Sequence, residues 1–575
     1  ELQLYARDFF NANLGKLDPN RAQLSLLLPE ENQAGGGTLK VSATLVYDSV
    51  FFKTFQKLRH KTAEPLSFTA SSEVQLKNTV EVALVLDNSG SMDEIGSGSG
   101  KKRMVLLKEA AKQLVDALAA QSAQMKQLQY PVQFGLVPFA ASVNVGDANA
   151  NEKWMDTDGL SPIHHENFNW TAFPASNRKV QKNGSSYYKK GSDWGAEENQ
   201  KVTRFTLFND LKRITDTRFV KTGTECKRGN SRNCQEWGDV GYEETILGPF
   251  AKWQGCVEAR PYPYNINDAV ARTAAPESLF VPMFAPDETD QKDSSSRPAN
   301  NNWWIDDTNT SSAIKRQEHT PKYFTAAPEG TAAMGLNEGP NAGCSTKPIT
   351  PLTDVSTAAG VAAIKLAIDA MEALGGTNVP QGMVWGWRVL SSIAPFTGGR
   401  PEKEKGNDKV VIVLTDGANT YYTPESVVAN GYSGSGYSRG GNDLAKNESI
   451  YSAYGYTKKY DGDVSRIFQG TSSNVSKSNH SNGNYTKAIN DHFDQLCNNA
   501  KAEGLIVMTV ALDLSSRNAS EKAQIDALTA CASESKFRKS NSGRAAKLFW
   551  NATGSSLAED FKSIADELSN LRIVR

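Results

Sequence analysis

The chain of 575 residues has no apolar run approaching the ~18 residues that a membrane-crossing helix needs. Its first residues carry no charged-then-apolar export signal. It opens on Glu1 rather than Met, so the expectation is that an export signal or a membrane anchor has been removed ahead of it. No C-x-x-C pair occurs, which argues against structural zinc and thioredoxin-type chemistry. No sign of charge predominates: 63 Lys and Arg stand against 64 Asp and Glu, with no long basic run. Phosphate binding needs a concentrated positive footprint, so nucleic acid is not expected as a partner. The stretch "GSGSG" at Gly96–Gly100 lacks the G-K-[ST] ending of a phosphate loop.

What is present is an even set of six cysteines: Cys226, Cys234, Cys256, Cys344, Cys497 and Cys531. All six are assigned to disulfides, which places the chain in an oxidising compartment outside the cytoplasm. Cys226 and Cys234 suit a local bridge in a polar, Gly-containing loop. Cys256 with Cys344 is the second staple of the same region.

The pattern along the chain reads as α/β. Residues 1–79 form a small α+β segment, with a helix in "ELQLYARDFFNANL" and alternating strands in "GGGTLKVSATLVYDSVFF" and "PLSFTASSEVQLK". "VEVALVLD" and "KVVIVLTDG" are continuous apolar runs, typical of strands buried on both faces of a parallel sheet. Between and after them come amphipathic helices, among them the one carrying Met104, Leu107, Ala111, Leu114 and Leu118. Alternating strands and helices predict a doubly wound, mostly parallel sheet over 80–143, 354–420 and 485–575. Two insertions interrupt it. Residues 144–353 hold seven of the ten tryptophans and read as a loop-rich, disulfide-stapled, aromatic-rich domain. Residues 421–484 hold eight of the eighteen tyrosines among Ser, Gly and Asn, and read as an adaptable surface loop.

The chemistry gathers at strand ends. In an open α/β sheet, ligands bind outside the carboxyl ends of the strands. Asp87, Ser89 and Ser91 follow the first buried strand, Asp416 ends the second, and Thr377 sits in "GGTN" between two helices. All are hard oxygen donors with no His or Cys among them. That set selects a hard divalent cation, Mg²⁺ first, with Mn²⁺ or Ca²⁺ as alternatives. Hydroxyl ligands add no formal charge, so the ion keeps an electrophilic face for an acidic group on a partner. Taken singly, each residue reads as an ordinary cap or turn; the combination is what points to a site.

"DNSGSM", "GGTN" and "VVIVLTDG" resemble the metal-ion-dependent adhesion site of von Willebrand factor type A domains. The resemblance implies Ser89, Ser91 and Thr377 as direct ligands, with Asp87 and Asp416 direct or water-mediated. The departure is the 286-residue spacing from Ser91 to Thr377. More narrowly, "WMDTDGLSPIHHENF", "WQGCVEARPYPYNIND", "LFVPMFAPDE", "GPNAGC" and "ADELSNLRIVR" are similar to the bacterial TadG-like proteins of tight-adherence (Tad/Flp) pilus systems. That resemblance implies a protein of the cell surface or pilus, a tip adhesin or minor pilin; metal-assisted hydrolysis is not expected, because no His or Glu is placed as a general base. Its partners would be an acidic group on a protein or surface and other pilus subunits. Membrane contact would come only through a hydrophobic segment missing from this sequence. The competing expectation is a structural pilus component whose metal only steadies the domain. Asp156, Asp158, His164 and His165 make a weaker candidate for a second metal site. Asp306/Asp307 and Asp461/Asp463 read as solvated turns.

Overall fold

The computed structural model describes residues 2–15, 18–27, 38–47, 49–59, 62, 65–75, 78–123, 125, 128–173, 177–288, 301–304, 319–327, 333–420, 451–457 and 464–571. Asp306, Asp307, Asp461, Asp463 and residues 421–450 of the second insertion lie outside the described residues.

An eight-stranded sheet organises the molecule. Its strands are β1 (Thr79–Asp87), β2 (Val132–Phe139), β3 (Val143–Asn144), β4 (Cys256–Val257), β5 (Thr350–Asp354), β6 (Asn407–Thr415), β7 (Ile506–Leu512) and β8 (Phe549–Ala552). The spatial order is β4-β3-β2-β1-β6-β7-β8, with β5 antiparallel to β2. The pairs β1–β2, β1–β6, β6–β7 and β7–β8 are parallel, and β2–β3 and β3–β4 are antiparallel. Every residue of β1 is buried, as a strand with parallel neighbours on both sides and cover on both faces requires.

Alternation along β1 divides the core in two. Val80, Val82, Leu84 and Leu86 pack with helices α1 (Arg103–Ser122), α2 (Ala358–Asp369) and α6 (Leu557–Leu571). Ala83 and Val85 face α3 (Val379–Leu390), α4 (Asn482–Ala502) and α5 (Ala519–Cys531). Helix α3 opens at Asn378, whose side chain accepts from the Gln381 amide, with Pro380 in its first turn. It lies close on the sheet because Gly382 and Gly386 have no side chain. A Cβ on Gly382 would stand 2.6 Å from the Phe139 ring, and one on Gly386 would stand 2.4 Å from Val85. Among the described residues no helix is long and apolar enough to cross a membrane.

Three disulfides form, Cys226–Cys234, Cys256–Cys344 and Cys497–Cys531, and no cysteine is free. The last ties α4 to α5. In the first insertion the aromatic residues do pack: Trp154, Trp170, Trp194, Phe280, Phe284 and Trp303 join the core on the α3 side of the sheet. The sequence pattern gave no sign of a long two-stranded ribbon, Lys212–Asn230 paired with Asn233–Pro249 and closed near its tip by Cys226–Cys234. Both faces of this ribbon meet water, and Phe219, Trp237 and Tyr242 are exposed on it. A strand wet on both faces shows no apolar alternation to read.

The second insertion corrects the expectation of an adaptable surface loop in its described part. Tyr451, Tyr454, Tyr456, Ile467 and Phe468 are buried. The reason is a charged cluster spanning the two insertions. Glu258 receives Arg204 and the Tyr451 hydroxyl on one oxygen, and Arg466 at 2.5 Å on the other. Arg466 also meets Glu166 at 2.9 Å. Tyrosine buries well when its hydroxyl finds such a partner. By contrast, none of the residues before Thr79 whose burial is described is buried, in the three-stranded antiparallel sheet of the first segment or its two helices.

Candidate metal centre

The carboxyl ends of β1 and β6 lie side by side at the middle of the sheet, where the chain leaves β1 toward β2 and leaves β6 toward β7. Connections running in opposite directions open a crevice at such a point. Leu86 pairs with Leu414, which sets Asp87 next to Thr415 and brings Asp416 just beyond.

The loop after β1 is held by its own carboxylate. Asp87 Oδ1 accepts from the Ser89 amide at 2.7 Å and Oδ2 from the Thr415 hydroxyl at 2.6 Å. This turns both serine hydroxyls toward Asp416. Ser91 Oγ lies 2.6 Å from Asp416 Oδ1, Ser89 Oγ lies 3.5 Å from the same oxygen, and the two hydroxyls are 3.0 Å apart.

Thr377 arrives from far along the chain through backbone stitching. The Leu374 amide donates to Asn88 O at 2.7 Å, and the Gly90 amide donates to Gly375 O at 2.9 Å. On its other side the Thr377 amide donates to the Thr420 hydroxyl at 3.1 Å, and the Thr420 amide returns to Thr377 O at 3.0 Å. Gly417 keeps the space between clear: a Cβ there would be 3.5 Å from Thr377 Oγ1 and 3.8 Å from Ser91 Oγ. All five sequence-predicted residues therefore stand on one rim.

The donor set fits a small divalent cation. Neighbouring ligands of an octahedral ion with bonds of about 2.1 Å are about 3.0 Å apart. Ser89 Oγ, Ser91 Oγ and Asp416 Oδ1 stand 2.6 to 3.5 Å apart as hydrogen-bonded neighbours, close enough to share one ion. Both carboxyls are raised chiefly because they are buried. Burial first, and then the charge of Asp416, push Asp87 up from its ordinary range, and burial likewise raises Asp416. Among the described residues no group of three or more His, Cys, Asp or Glu is arranged to hold a metal. Hydroxyls make up most of this donor set instead.

Sequence reasoning missed the residues that hold this centre. Arg103, the first residue of α1, reaches Asp416 Oδ2 at 3.0 Å, Glu94 at 3.0 Å and Asp513 at 3.1 Å. Asp513 follows β7 at a backbone φ of 56° and also accepts from the amides of Ser97 and Gly554, both at 2.9 Å. The available signal was that Asp513, like Asp87, directly follows a buried strand.

The weaker candidate site does not assemble. His164 uses both ring nitrogens: Nδ1–H donates to Asp156 at 2.8 Å, and Nε2 accepts from the Arg204 amide at 2.8 Å. Asp158 pairs with Lys201, and His165 Nδ1 accepts from the Trp170 indole at 3.2 Å. Burial keeps both imidazoles neutral, lowering His164 and taking His165 down to about 2, where the neighbouring His164 and Arg204 add to the effect.

No family model and no curated protein matches the chain. Among solved structures, the pilus adhesin SpaC from Lactobacillus rhamnosus GG is similar at 11% identity and a TM-score of 0.31, over 96% of this chain and 36% of SpaC. The chain thus spans about a third of the length of SpaC. The vWF domain of the type V pili tip protein Mfa5 from Porphyromonas gingivalis has a TM-score of 0.29 at 11% identity, over 87% of this chain and 97% of that one. The adhesive tip pilin GBS104 from Group B Streptococcus agalactiae has a TM-score of 0.29 at 12% identity, with 86% and 98% covered.

Proposed function

We propose that this chain is a non-enzymatic adhesin of the cell surface, a tip or minor component of a Tad-type pilus. Its doubly wound von Willebrand type A body would bind an acidic group on a protein or surface through Mg²⁺ or a similar ion. One observation carries the metal reading: Ser89, Ser91 and Asp416 turn three oxygen donors toward one another, 2.6 to 3.5 Å apart, on the crevice edge of the sheet. The pilus setting rests on the sequence resemblance, and three disulfides agree with an oxidising compartment. Ser89, Ser91, Thr377 and Asp416 would hold the ion, with Asp87 orienting the loop from behind. When bound, the ion supplies a positive face that an acidic target completes.

A second reading, an ion that only steadies the domain, draws support from burial. Asp87, Ser89, Thr377 and Asp416 are 0, 2, 3 and 5% exposed, which leaves Ser91 as the half-buried edge. Cells carrying Thr377→Ala separate the two when attachment and pilus number are scored together. The adhesive reading expects normal pili and lost attachment. Attachment that survives both the substitution and EDTA would sink it, as would loss of the pili themselves.

A further inference from the structure

Arg103 stands where a cation is disfavoured, at the positive end of a helix. Its side chain is nevertheless only 14% exposed, and its guanidinium is spread over three carboxylates from three separate elements. One of these bonds has a consequence for the centre. Nη1 takes Asp416 Oδ2 at 3.0 Å, leaving Oδ1 to face the serine hydroxyls. Asp87 is engaged in the same sense, Oδ1 by the Ser89 amide and Oδ2 by Thr415. Neither carboxylate therefore has two open oxygens to offer one ion.

We propose that Arg103 is a selectivity-determining residue of the centre, favouring Mg²⁺ and Mn²⁺ over Ca²⁺ by holding Asp416 to a single open oxygen. The inference rests on the reading of this crevice as a divalent-metal site. Mg²⁺ is satisfied by six oxygens at about 2.1 Å, each carboxylate giving one. Ca²⁺ takes six to eight at about 2.3–2.6 Å and commonly claims both oxygens of a carboxylate. With Oδ2 held by Arg103, the larger ion loses the bidentate contact that would fill its shell. Asp513 keeps the guanidinium in place, since its own carboxylate is pinned by the amides of Ser97 and Gly554. Arg103 acts through Asp416 and is a positioning residue.

The test is competition on the whole purified chain, with Mn²⁺ bound and followed by its paramagnetic resonance and then displaced by Mg²⁺ or Ca²⁺. The unsubstituted chain is expected to release Mn²⁺ at lower Mg²⁺ than Ca²⁺. Arg103→Gln frees Asp416 Oδ2, and the ratio of the two concentrations is expected to shift toward Ca²⁺ by about tenfold. General loosening of the loop would weaken both ions alike and leave the ratio where it was. Should Arg103→Gln not fold, Asp513→Asn releases the guanidinium from its other side and carries the same expectation. Mn²⁺ binding with an unchanged ratio in the variant, or no preference for Mg²⁺ in the unsubstituted chain, overturns the role given to Arg103. Failure of the unsubstituted chain to bind Mn²⁺ at all refutes the metal centre itself.

Discussion

The bridge between Cys497 and Cys531 offers a test in which position in the fold, rather than disulfide chemistry, decides the outcome. It closes a loop of 34 residues and joins α4 to α5, with both sulfurs fully buried within 3.7 Å of Met383 Sδ. The loop-closure entropy of a chain that long gives about 4 kcal/mol of stabilisation. Because the bridge ties two helices of the main core, the double substitution Cys497→Ala/Cys531→Ala should lower the stability of the main unfolding transition by that amount. The bridge Cys226–Cys234 closes only 8 residues, and the same relation gives about 2.5 kcal/mol. It sits near the tip of the exposed ribbon, which can open without the core. Cys226→Ala/Cys234→Ala should therefore leave the main transition within about 0.5 kcal/mol of its starting value. The assay is guanidinium unfolding followed by near-ultraviolet circular dichroism. Native-state hydrogen exchange then reports the ribbon separately. A core loss below about 1 kcal/mol for the first pair, or equal losses for the two pairs, refutes the reasoning.

Glu258→Gln should cost about 3–5 kcal/mol, because it leaves buried Arg204 and Arg466 short of their shared carboxylate; thermal unfolding of the variant checks this. Gly382→Ala gains about 1 kcal/mol of helix propensity but drives a methyl into Phe139 and Val85, so chemical denaturation should show a net loss of about 1–2 kcal/mol. His165 is depressed to about 2 in the folded chain, so its contribution is complete above the unfolded value near pH 6.5 and is lost as pH falls from there toward the folded value. At pH 5 the loss is about 2 kcal/mol, and His165→Phe should flatten that part of the melting-temperature profile between pH 7 and 5.

Much of the architecture was legible. The unbroken apolar runs of β1 and β6 announce strands buried on both faces. The three- and four-residue spacing of Met104, Leu107, Ala111, Leu114 and Leu118 announces the buried face of α1. Other features left no such trace. The ribbon is wet on both sides, so burial imposes no alternation on it. The tyrosines of 451–456 carry the composition of a surface loop, and only Glu258, from the other insertion, makes them core. His164 and His165 made only a weak candidate site, and three of their four ring nitrogens are spent on Asp156, Arg204 and Trp170.

By itself the sequence determined the kinds of donor at the candidate centre. Asp87, Ser89 and Ser91 are close in the chain, and a strand's end fixes which edge of the sheet they occupy. It also set the expected chemistry, since a set of hydroxyls and carboxylates without His or Cys suits a hard cation. Convergence was decided by the tertiary structure. Thr377, 286 residues beyond Ser91, comes to the same rim because backbone hydrogen bonds join Asn88 and Gly90 to the loop at 374–375. Arg103 meets Asp416 and Asp513 because β1, β6 and β7 lie in register as parallel neighbours. Periodicity records how each segment meets its immediate surroundings. Which segments become neighbours depends on strand pairing, and no local run of residues carries that information.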